Sequence, residues 1–379
     1  MNSEVYLVKC NSYDEDISSK AMNELISSFD VLKKIKKNTK VVIKANLVSA
    51  MGPEKSATTH PILLKHLVSY LLDKKCDVVI GDSPGGIFTS AFLNHVYKVT
   101  KMSETGAKLN NNFKTKKAFF KEAKLLKSFE YTAYLDEADL IIDFCKLKTH
   151  GMMGMSAAVK NLFGTIPGTI KTEYHYRFPN HQDFANMLID INEYFKPAIS
   201  IVDAVIGMEG NGPTMGSPRP IGLILASENQ YALDYVCARI IGLDKNSVET
   251  IKQSLERGLF KIDSIKTNIS YKDYIINDFE LIKGKGTITF FDNKKDPFSK
   301  ILAKVSNKLF ANRPHPIKKK CIGCGKCAEV CPMKAITIKD KKANIDTTKC
   351  IKCYCCQEFC PVGAMVVKTS KIMKIINKK

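Results

Sequence analysis

No apolar run in this 379-residue chain approaches the roughly 18 residues of a membrane-spanning helix, so no transmembrane segment is expected. The chain begins MNSEVYLVKC, without a charged-then-apolar leader, and the expectation is a cytoplasmic protein. Neither G-x-G-x-x-G nor G-x4-G-K-[ST] occurs, so no nucleotide fingerprint is present, and no flavin fingerprint is visible either. The C-x3-C-x2-C spacing of radical-type clusters is missing. Acidic residues are few: 38 Asp and Glu against 58 Lys and Arg leave a net charge of +20. The cysteine count, 13, is odd, and a chain of this length does not need stapling, which argues against a disulfide framework.

Eight of the cysteines follow one pattern written twice, C-x2-C-x2-C-x3-C-P: Cys321, Cys324, Cys327 and Cys331 before Pro332, then Cys350, Cys353, Cys356 and Cys360 before Pro361. Three thiolates at every third position can wrap a loop round three corners of a cubane, and the fourth lies too far along to close the same cluster comfortably. In two-cluster ferredoxins of the bacterial type the fourth cysteine of each run ligates the other cluster. That assigns Cys321, Cys324, Cys327 and Cys360 to one 4Fe-4S centre and Cys350, Cys353, Cys356 and Cys331 to a second. Zinc also takes thiolates, but its structural sites pair two separated C-x2-C knuckles on one metal. Cys355 is out of phase with the spacing and reads as a packing thiol beside a ligand.

The two runs align at an offset of 29 residues beyond the cysteines, with Ala335-Ile336-Thr337-Ile338 falling on Ala364-Met365-Val366-Val367. This is an internal duplication, and the β-branched runs after each Cys-Pro predict short strands. The segment has too few apolar residues for a large core, which iron and sulfide would supply.

Upstream, the pattern is that of an α/β domain with a mostly parallel sheet. Strands are expected at 4–9, 41–45, 78–80, 140–142, 198–202 and 221–226, and helices at 19–37, from Pro61 with Thr59 as N-cap, at 230–242 and at 247–257. A turn at Gly284-Lys285-Gly286 and a strand at 287–291 are also expected. Ligands of such folds gather at the carboxyl ends of the strands. There the sequence places Lys146, Lys148, His150, Lys160 and Asn161, the candidate catalytic residues. Lys44, Asp82 and the glycine-rich Gly210-Asn211-Gly212 are candidate cofactor-binding positions. His175 and His181 fall in a polar stretch and are expected at the surface. The expected organisation is an α/β domain at 1–300, a linker at 301–320, a two-cluster ferredoxin domain at 321–368 with a two-fold internal repeat, and a basic tail at 369–379.

Three groups of segments together resemble the family called domain of unknown function 362: Ile43-Lys44-Ala45-Asn46-Leu47 with Thr58-Thr59-His60-Pro61; Lys146-Leu147-Lys148-Thr149-His150 with Ala158-Val159-Lys160-Asn161-Leu162-Phe163-Gly164; and Ile201-Val202-Asp203-Ala204 through Gly210-Asn211-Gly212-Pro213. The cysteine module, including Cys353-Tyr354-Cys355-Cys356, is similar to the ferredoxin domain that many members carry at the C-terminus. The resemblance implies electron transfer and leaves the reaction open.

Two functions are consistent with these readings. In one, two 4Fe-4S clusters pass electrons to or from a ligand in the α/β domain, as in a ferredoxin-type oxidoreductase. The lysines would hold a small anionic substrate, Asn161 would orient it and His150 would move a proton. A flavin could bridge one- and two-electron steps. In the other, the chain is a non-catalytic multidomain ferredoxin or a docking and cofactor-delivery module. Residues 311–379 carry 16 Lys and Arg against 4 Asp and Glu, and the chain stays basic with eight thiolates and two cluster cores counted. A basic port favours an acidic redox partner such as a flavodoxin or ferredoxin, with nucleic acid or an anionic membrane surface as the alternative, and abundant lysine throughout the chain is equally a matter of composition. Electron delivery from an acidic donor should therefore slow as salt rises, because at about 0.15 M screening acts within roughly 8 Å. Stopped-flow rates that stay flat from low to high salt would leave the charge as composition.

Overall fold

The structure is a computed structural model that describes residues 3–282 and 313–368. The chain forms two compact units, Met1–Glu280 and Leu281–Lys379. The expected 284–286 turn and 287–291 strand, most of the 301–320 linker and the 369–379 tail lie outside the described residues.

The first unit is built on a nine-stranded sheet. Its strands are β1 (Glu4–Lys9), β2 (Lys40–Ala45), β3 (Asp77–Gly81) and β4 (Lys108–Leu109); after a separate hairpin, β5 (Thr115–Phe119) with β6 (Ser128–Thr132), come β7 (Leu140–His150), β8 (Gly154–Ser156), β9 (Ile199–Glu209), β10 (Ser217–Ser227) and β11 (Lys266–Thr267). The order is β11-β1-β10-β9-β7-β2-β3-β4, with β8 added on β7. Pairing is parallel except where β10 runs against β1 and β9, and β8 against β7.

Helices cover both faces. On one lie α1 (Glu15–Ser27), α3 (Pro61–Asp73) and α4 (Ser90–Val99), whose Met22, Leu25, Leu64, Leu67 and Val96 share a core with Ile43, Ile142, Phe144, Ile201 and Val205 of the sheet. A four-residue helix, α2 (Asp30–Lys33), comes after α1. The other face is packed by the short α5 (Ala158–Asn161) and by α8 (Gln230–Ile240), with α6 (Ile170–Arg177), α7 (His181–Phe195) and α9 (Glu249–Glu256) completing the set.

Several local expectations change. The helix expected at 19–37 starts at Glu15, because Asp14 caps it by accepting the N–H groups of Asp16 and Ile17, and it breaks before α2. His60, not Thr59, caps α3: its Nδ1 accepts the Ile62 N–H at 3.3 Å, while the Thr59 hydroxyl joins Asn46 N to Phe144 O. His175 is buried, its ring stacked on Phe184 at 4.5 Å. Strands β7 and β9 extend well past the expected ends, so Lys146, Lys148 and His150 lie within a strand rather than in a loop after it.

In the second unit the duplication is visible in the backbone. Strands β12 (Arg313–Pro316) and β13 (Ile336–Lys339) recur 29 residues on as β14 (Lys342–Ile345) and β15 (Met365–Lys368), and the helical turn Lys326–Glu329 recurs as Cys355–Glu358. The repeat thus starts at Arg313, eight residues before the first cysteine. Left-handed positions repeat as well: Gly323, Gly325 and Lys334 in the first half match Lys352, Tyr354 and Gly363 in the second. Pairing crosses between halves, β12 with β15 and β13 with β14.

Asp340 and Lys341, at φ 51° and 56°, form the two-residue turn of the β13–β14 hairpin, the conformation that favours Asp-Gly. Relieving the Cβ strain of a left-handed residue is worth roughly 1 kcal/mol, less the added freedom of glycine in the unfolded chain. Lys341→Gly should therefore raise the urea midpoint of the cluster-loaded protein slightly. A lower midpoint would show that the turn draws on the lysine side chain.

Candidate functional site

The strand pleat sorts the candidate lysines onto two faces of the sheet. Lys146 and Lys148 share the α1/α3 face with Ile142 and Phe144, whereas Lys44, one residue from Ile43, points to the α5 face. All three are buried, at 1% exposure or less. A charge so placed needs a partner, and each has one inside the protein.

Lys146 and Asp203 are register partners on β7 and β9, and their side chains pair at 2.8 Å. The Tyr13 hydroxyl accepts from Lys146 Nζ at 2.6 Å and donates to Asp203 Oδ1 at 2.8 Å. Asp203 Oδ2 also accepts the His60 N–H, and the Tyr13 and His60 rings stack at 3.7 Å, 8° from parallel. Burial pushes the Lys146 ammonium down and Asp203 opposes it; burial likewise brings the His60 imidazole down to about 4, so that ring is neutral near pH 7.

On the opposite face Lys44 pairs with Asp82 at 2.8 Å and donates to the carbonyls of Ala45 and Asn161. Asp82 also accepts the N–H groups of Leu47 and Ser83, at 2.7 and 2.8 Å. Gly164 is required here, since a Cβ would meet the Asp82 carboxylate and lie 2.7 Å from Lys44 Nζ. The two faces are joined round the end of β2. Lys148 Nζ donates to Asn46 Oδ1 at 2.8 Å, Asn46 Nδ2 to Asn161 Oδ1 at 2.8 Å, and Asn161 Nδ2 to Asp143 Oδ1 at 2.7 Å. Lys44, Lys148, Asn161 and Asp82 therefore form one hydrogen-bonded chain, and Lys146 belongs to a separate cluster.

The other candidates are placed apart. His150 is 1% exposed, and its Nδ1 accepts the N–H groups of Met152 and Met153 at 3.1 and 3.2 Å, which puts the ring proton of the neutral form on Nε2. Lys160 is half-buried with its amine over the Phe163 ring. Gly210 and Gly212 close on Thr149: its hydroxyl donates to Gly210 O at 3.0 Å and accepts from Gly212 N at 3.3 Å, and a Cβ on Gly212 would meet the Thr149 carbonyl. The glycines thus bring backbone close against β7, with half-buried Asn211 between them.

Tyr13, His60, Asn46 and Asp143 were not picked out as site residues by sequence. Asp143 carried a signal, as a carboxylate inside the apolar run Leu140-Ile141-Ile142-Asp143-Phe144, and Asn46 and His60 lie in segments that resemble the family; the stacking of Tyr13 on His60 left no local pattern, because it joins residues 47 positions apart.

In the second unit, Cys321, Cys324, Cys327 and Cys360 line one hollow and Cys331, Cys350, Cys353 and Cys356 line another. Backbone N–H groups point at three of these sulfurs, from Ala335 to Cys331 and from Ala364 to Cys360 at 3.2 Å, and from Ala343 to Cys321 at 3.4 Å. The first two are again related by the 29-residue repeat. Among the described residues no three His, Cys, Asp or Glu side chains converge on the position of a single ion. The cysteines stand round a space, with N–H donors to their sulfurs, and this arrangement fits a 4Fe-4S cluster in each hollow. Cys355, 1% exposed, lines the second hollow as a fifth thiol.

The family described as domain of unknown function (DUF362) matches residues 41–239, and the 4Fe-4S dicluster domain matches residues 320–364. The chain is 27% identical over 269 residues to the thylakoid-associated protein sll1697 of Synechocystis, covering 68% of this chain and 81% of that protein. Among solved structures it is similar to a protein from Thermotoga maritima (14% identity, TM-score 0.39, 61% of this chain and 59% of the other). It is likewise similar to the lactate racemase apoprotein of Thermoanaerobacterium thermosaccharolyticum (15%, 0.39, 63% and 57%). The chain thus spans less than two thirds of either of these.

Asp143 generates a pH prediction. Burial raises its carboxyl from 3.8 to about 7, against the pull of Lys44, Asn161 and Ser200. The unfolded chain releases this proton near 3.8 and the folded chain near 7, so the group's contribution to stability is whole below about 4 and is lost as pH rises to about 7. Asp143→Asn keeps an acceptor for Asn161 and should flatten the dependence of the melting temperature on pH between 4 and 7. A variant as steep as the wild type would show that Asp143 is ionised throughout.

Proposed function

This chain belongs to the DUF362 family and carries a 4Fe-4S dicluster domain, which makes it an iron–sulfur electron-transfer protein, and from that premise we propose that two 4Fe-4S clusters exchange electrons with a ligand bound in the α/β domain. The observation that carries the reading is the division of the eight motif cysteines between two hollows, each taking three from one run and the fourth from the other. Cys321, Cys324, Cys327 and Cys360 would hold the first cluster, and Cys331, Cys350, Cys353 and Cys356 the second. Each cluster supplies one-electron transfer when bound. The protein's part is to present the thiolates, donate backbone N–H groups to their sulfurs and limit water.

The ligand belongs at the carboxyl ends of the parallel strands, where Lys44, Asp82, Lys148, Asn46 and Asn161 form their network. Lys44, Lys146 and Lys148 already answer internal acceptors, so their role is to fix the floor of the site. In this reading Lys160, half-buried with its amine over the Phe163 ring, would meet a small anionic substrate, Asn161 would orient it, and His150, whose neutral ring carries its proton on Nε2, would move a proton. Gly210, Asn211 and Gly212 close the edge over β7. An acidic flavodoxin-like or ferredoxin-like protein is the partner that the basic module fits, in the cytoplasm, and a flavin would bridge one- and two-electron steps. The relative named as thylakoid-associated leaves an association with a membrane surface as the second reading of the same basic charge.

Anaerobically prepared protein should contain about eight iron and eight labile sulfide per chain, and about four would end the two-cluster reading. Lys160→Ala should weaken binding of the anion that co-purifies about tenfold or more, since a charge-assisted hydrogen bond is worth about 1.5 to 3 kcal/mol, with iron unchanged. Unaltered binding would remove Lys160 from the site and favour a docking module.

A further inference from the structure

The β5–β6 hairpin forms a two-stranded sheet of its own beside the nine-stranded one, and its two faces differ. On the inner face Phe129 and Tyr131 pack against Tyr194 and Phe195 of α7, with ring centroids 5.1 to 6.2 Å apart. The pleat puts Lys117 and Phe119 on the outer face, where Lys117 stands opposite Glu130 and Phe119 opposite Ser128. The two consecutive phenylalanines therefore part. Phe120 meets Tyr194 edge-on at 5.8 Å, whereas Phe119, 72% exposed, is the most exposed large apolar side chain among the described residues.

The turn that follows is held in place. The Phe120 N–H donates to Lys127 O at 2.9 Å, and the buried Asp190 accepts the N–H groups of Lys124, Leu125 and Leu126 at 3.0, 2.7 and 2.8 Å while pairing with Arg257 at 2.8 Å. Lys127 Nζ closes the turn by donating to the carbonyls of Lys121 and Ala123. Leu125, 36% exposed, is thus presented from a fixed backbone. The charge here is nearly all of one sign. Residues 114–127 hold six lysines against one acidic residue, Glu122. Lys116 pairs with Asp136, but Lys114, Lys117, Lys121 and Lys124 are exposed and form no ion pair among the described residues. The Lys117 amine lies 5.2 Å from the centre of the Phe119 ring.

An exposed aromatic ring among unpaired lysines complements a surface that is anionic outside and apolar just beneath. The ring enters the boundary between headgroups and acyl chains, and the amines, on long flexible stems, stay among the phosphates. A protein partner would have to set a carboxylate against each amine and a pocket against the ring, which a bilayer need not do. We propose that the β5–β6 hairpin is a membrane-surface contact of the α/β domain, in which Phe119 enters the interface of an anionic bilayer and Lys117, Lys121 and Lys124 meet lipid phosphates. The proposal rests on the membrane-surface reading of the basic charge and moves the contact from the cysteine module to this hairpin.

The chain contains no tryptophan, so Phe119→Trp introduces a single fluorescent reporter at the contact. Full-length, anaerobically loaded protein is mixed with vesicles of phosphatidylglycerol or of phosphatidylcholine. With phosphatidylglycerol the emission should shift to the blue and be quenched by brominated acyl chains; with phosphatidylcholine it should do neither. In co-sedimentation with phosphatidylglycerol vesicles, Phe119→Ser should weaken binding about tenfold. Lys117→Gln, Lys121→Gln and Lys124→Gln together should weaken it about a hundredfold, at about fivefold per lysine. Iron content and melting temperature should stay at the wild-type values, because all four side chains are exposed. Wild-type protein that does not sediment with phosphatidylglycerol overturns both the proposal and the membrane-surface reading. Sedimentation with an unshifted, unquenched emission, or with undiminished binding in both sets of variants, overturns the hairpin contact alone. A blue shift on adding an acidic flavodoxin, with none on adding either vesicle, overturns it too and assigns this face to a protein.

Discussion

The cysteine module depends on the crossing of its two halves. Among the described residues, the strands pair across the halves and not within them: β12 and β13 of the first pair with β15 and β14 of the second. The cysteines cross in the same sense, each hollow taking its fourth thiol from the opposite half. The apolar contribution is small, with Ile336, Ala343, Ala364 and Met365 packed against Cys327, Cys356 and Cys360. Hydrophobic burial on that scale does not fold a domain by itself, and metal binding that closes only a folded site adds its free energy to folding. Cluster loading and folding of this module are in that account a single event.

The α/β domain meets a different constraint, the cost of charge in a dry interior. Lys146–Asp203 and Lys44–Asp82 are buried pairs on opposite faces of the sheet, each with further hydrogen bonds that satisfy the remaining donors and acceptors. Such pairs rarely add much to stability, but removing one partner strands the other. They fix a polar floor at the strand ends, and the single Asn46–Asn161 contact carries the hydrogen-bond chain from one face to the other. The glycines belong to this economy of space: Gly164 admits the Lys44–Asp82 pair, and Gly212 admits Thr149.

The spacing of the cysteines was enough to foresee the duplication, because residues repeated at a fixed offset leave a local signature. The mostly parallel sheet was legible too, in apolar runs ending at polar residues. The features that escaped depend on partners distant in sequence. Lys44 and Lys146 look alike in the chain, and the pleat sends them to opposite faces. His175 sits in a polar stretch and is buried against Phe184 through helix packing that no local pattern records. Arg313-Pro314-His315-Pro316 reads as a linker because two prolines obscure an edge strand, which tolerates them where a central strand would not.

The central claim, that each cluster joins the two halves, is tested most directly by spectra of Cys331→Ser and Cys360→Ser. If ligation is crossed, Cys331→Ser perturbs the centre held by Cys350, Cys353 and Cys356, and Cys360→Ser the one held by Cys321, Cys324 and Cys327. Selective loss in Cys331→Ser of the cluster of its own run would contradict the account.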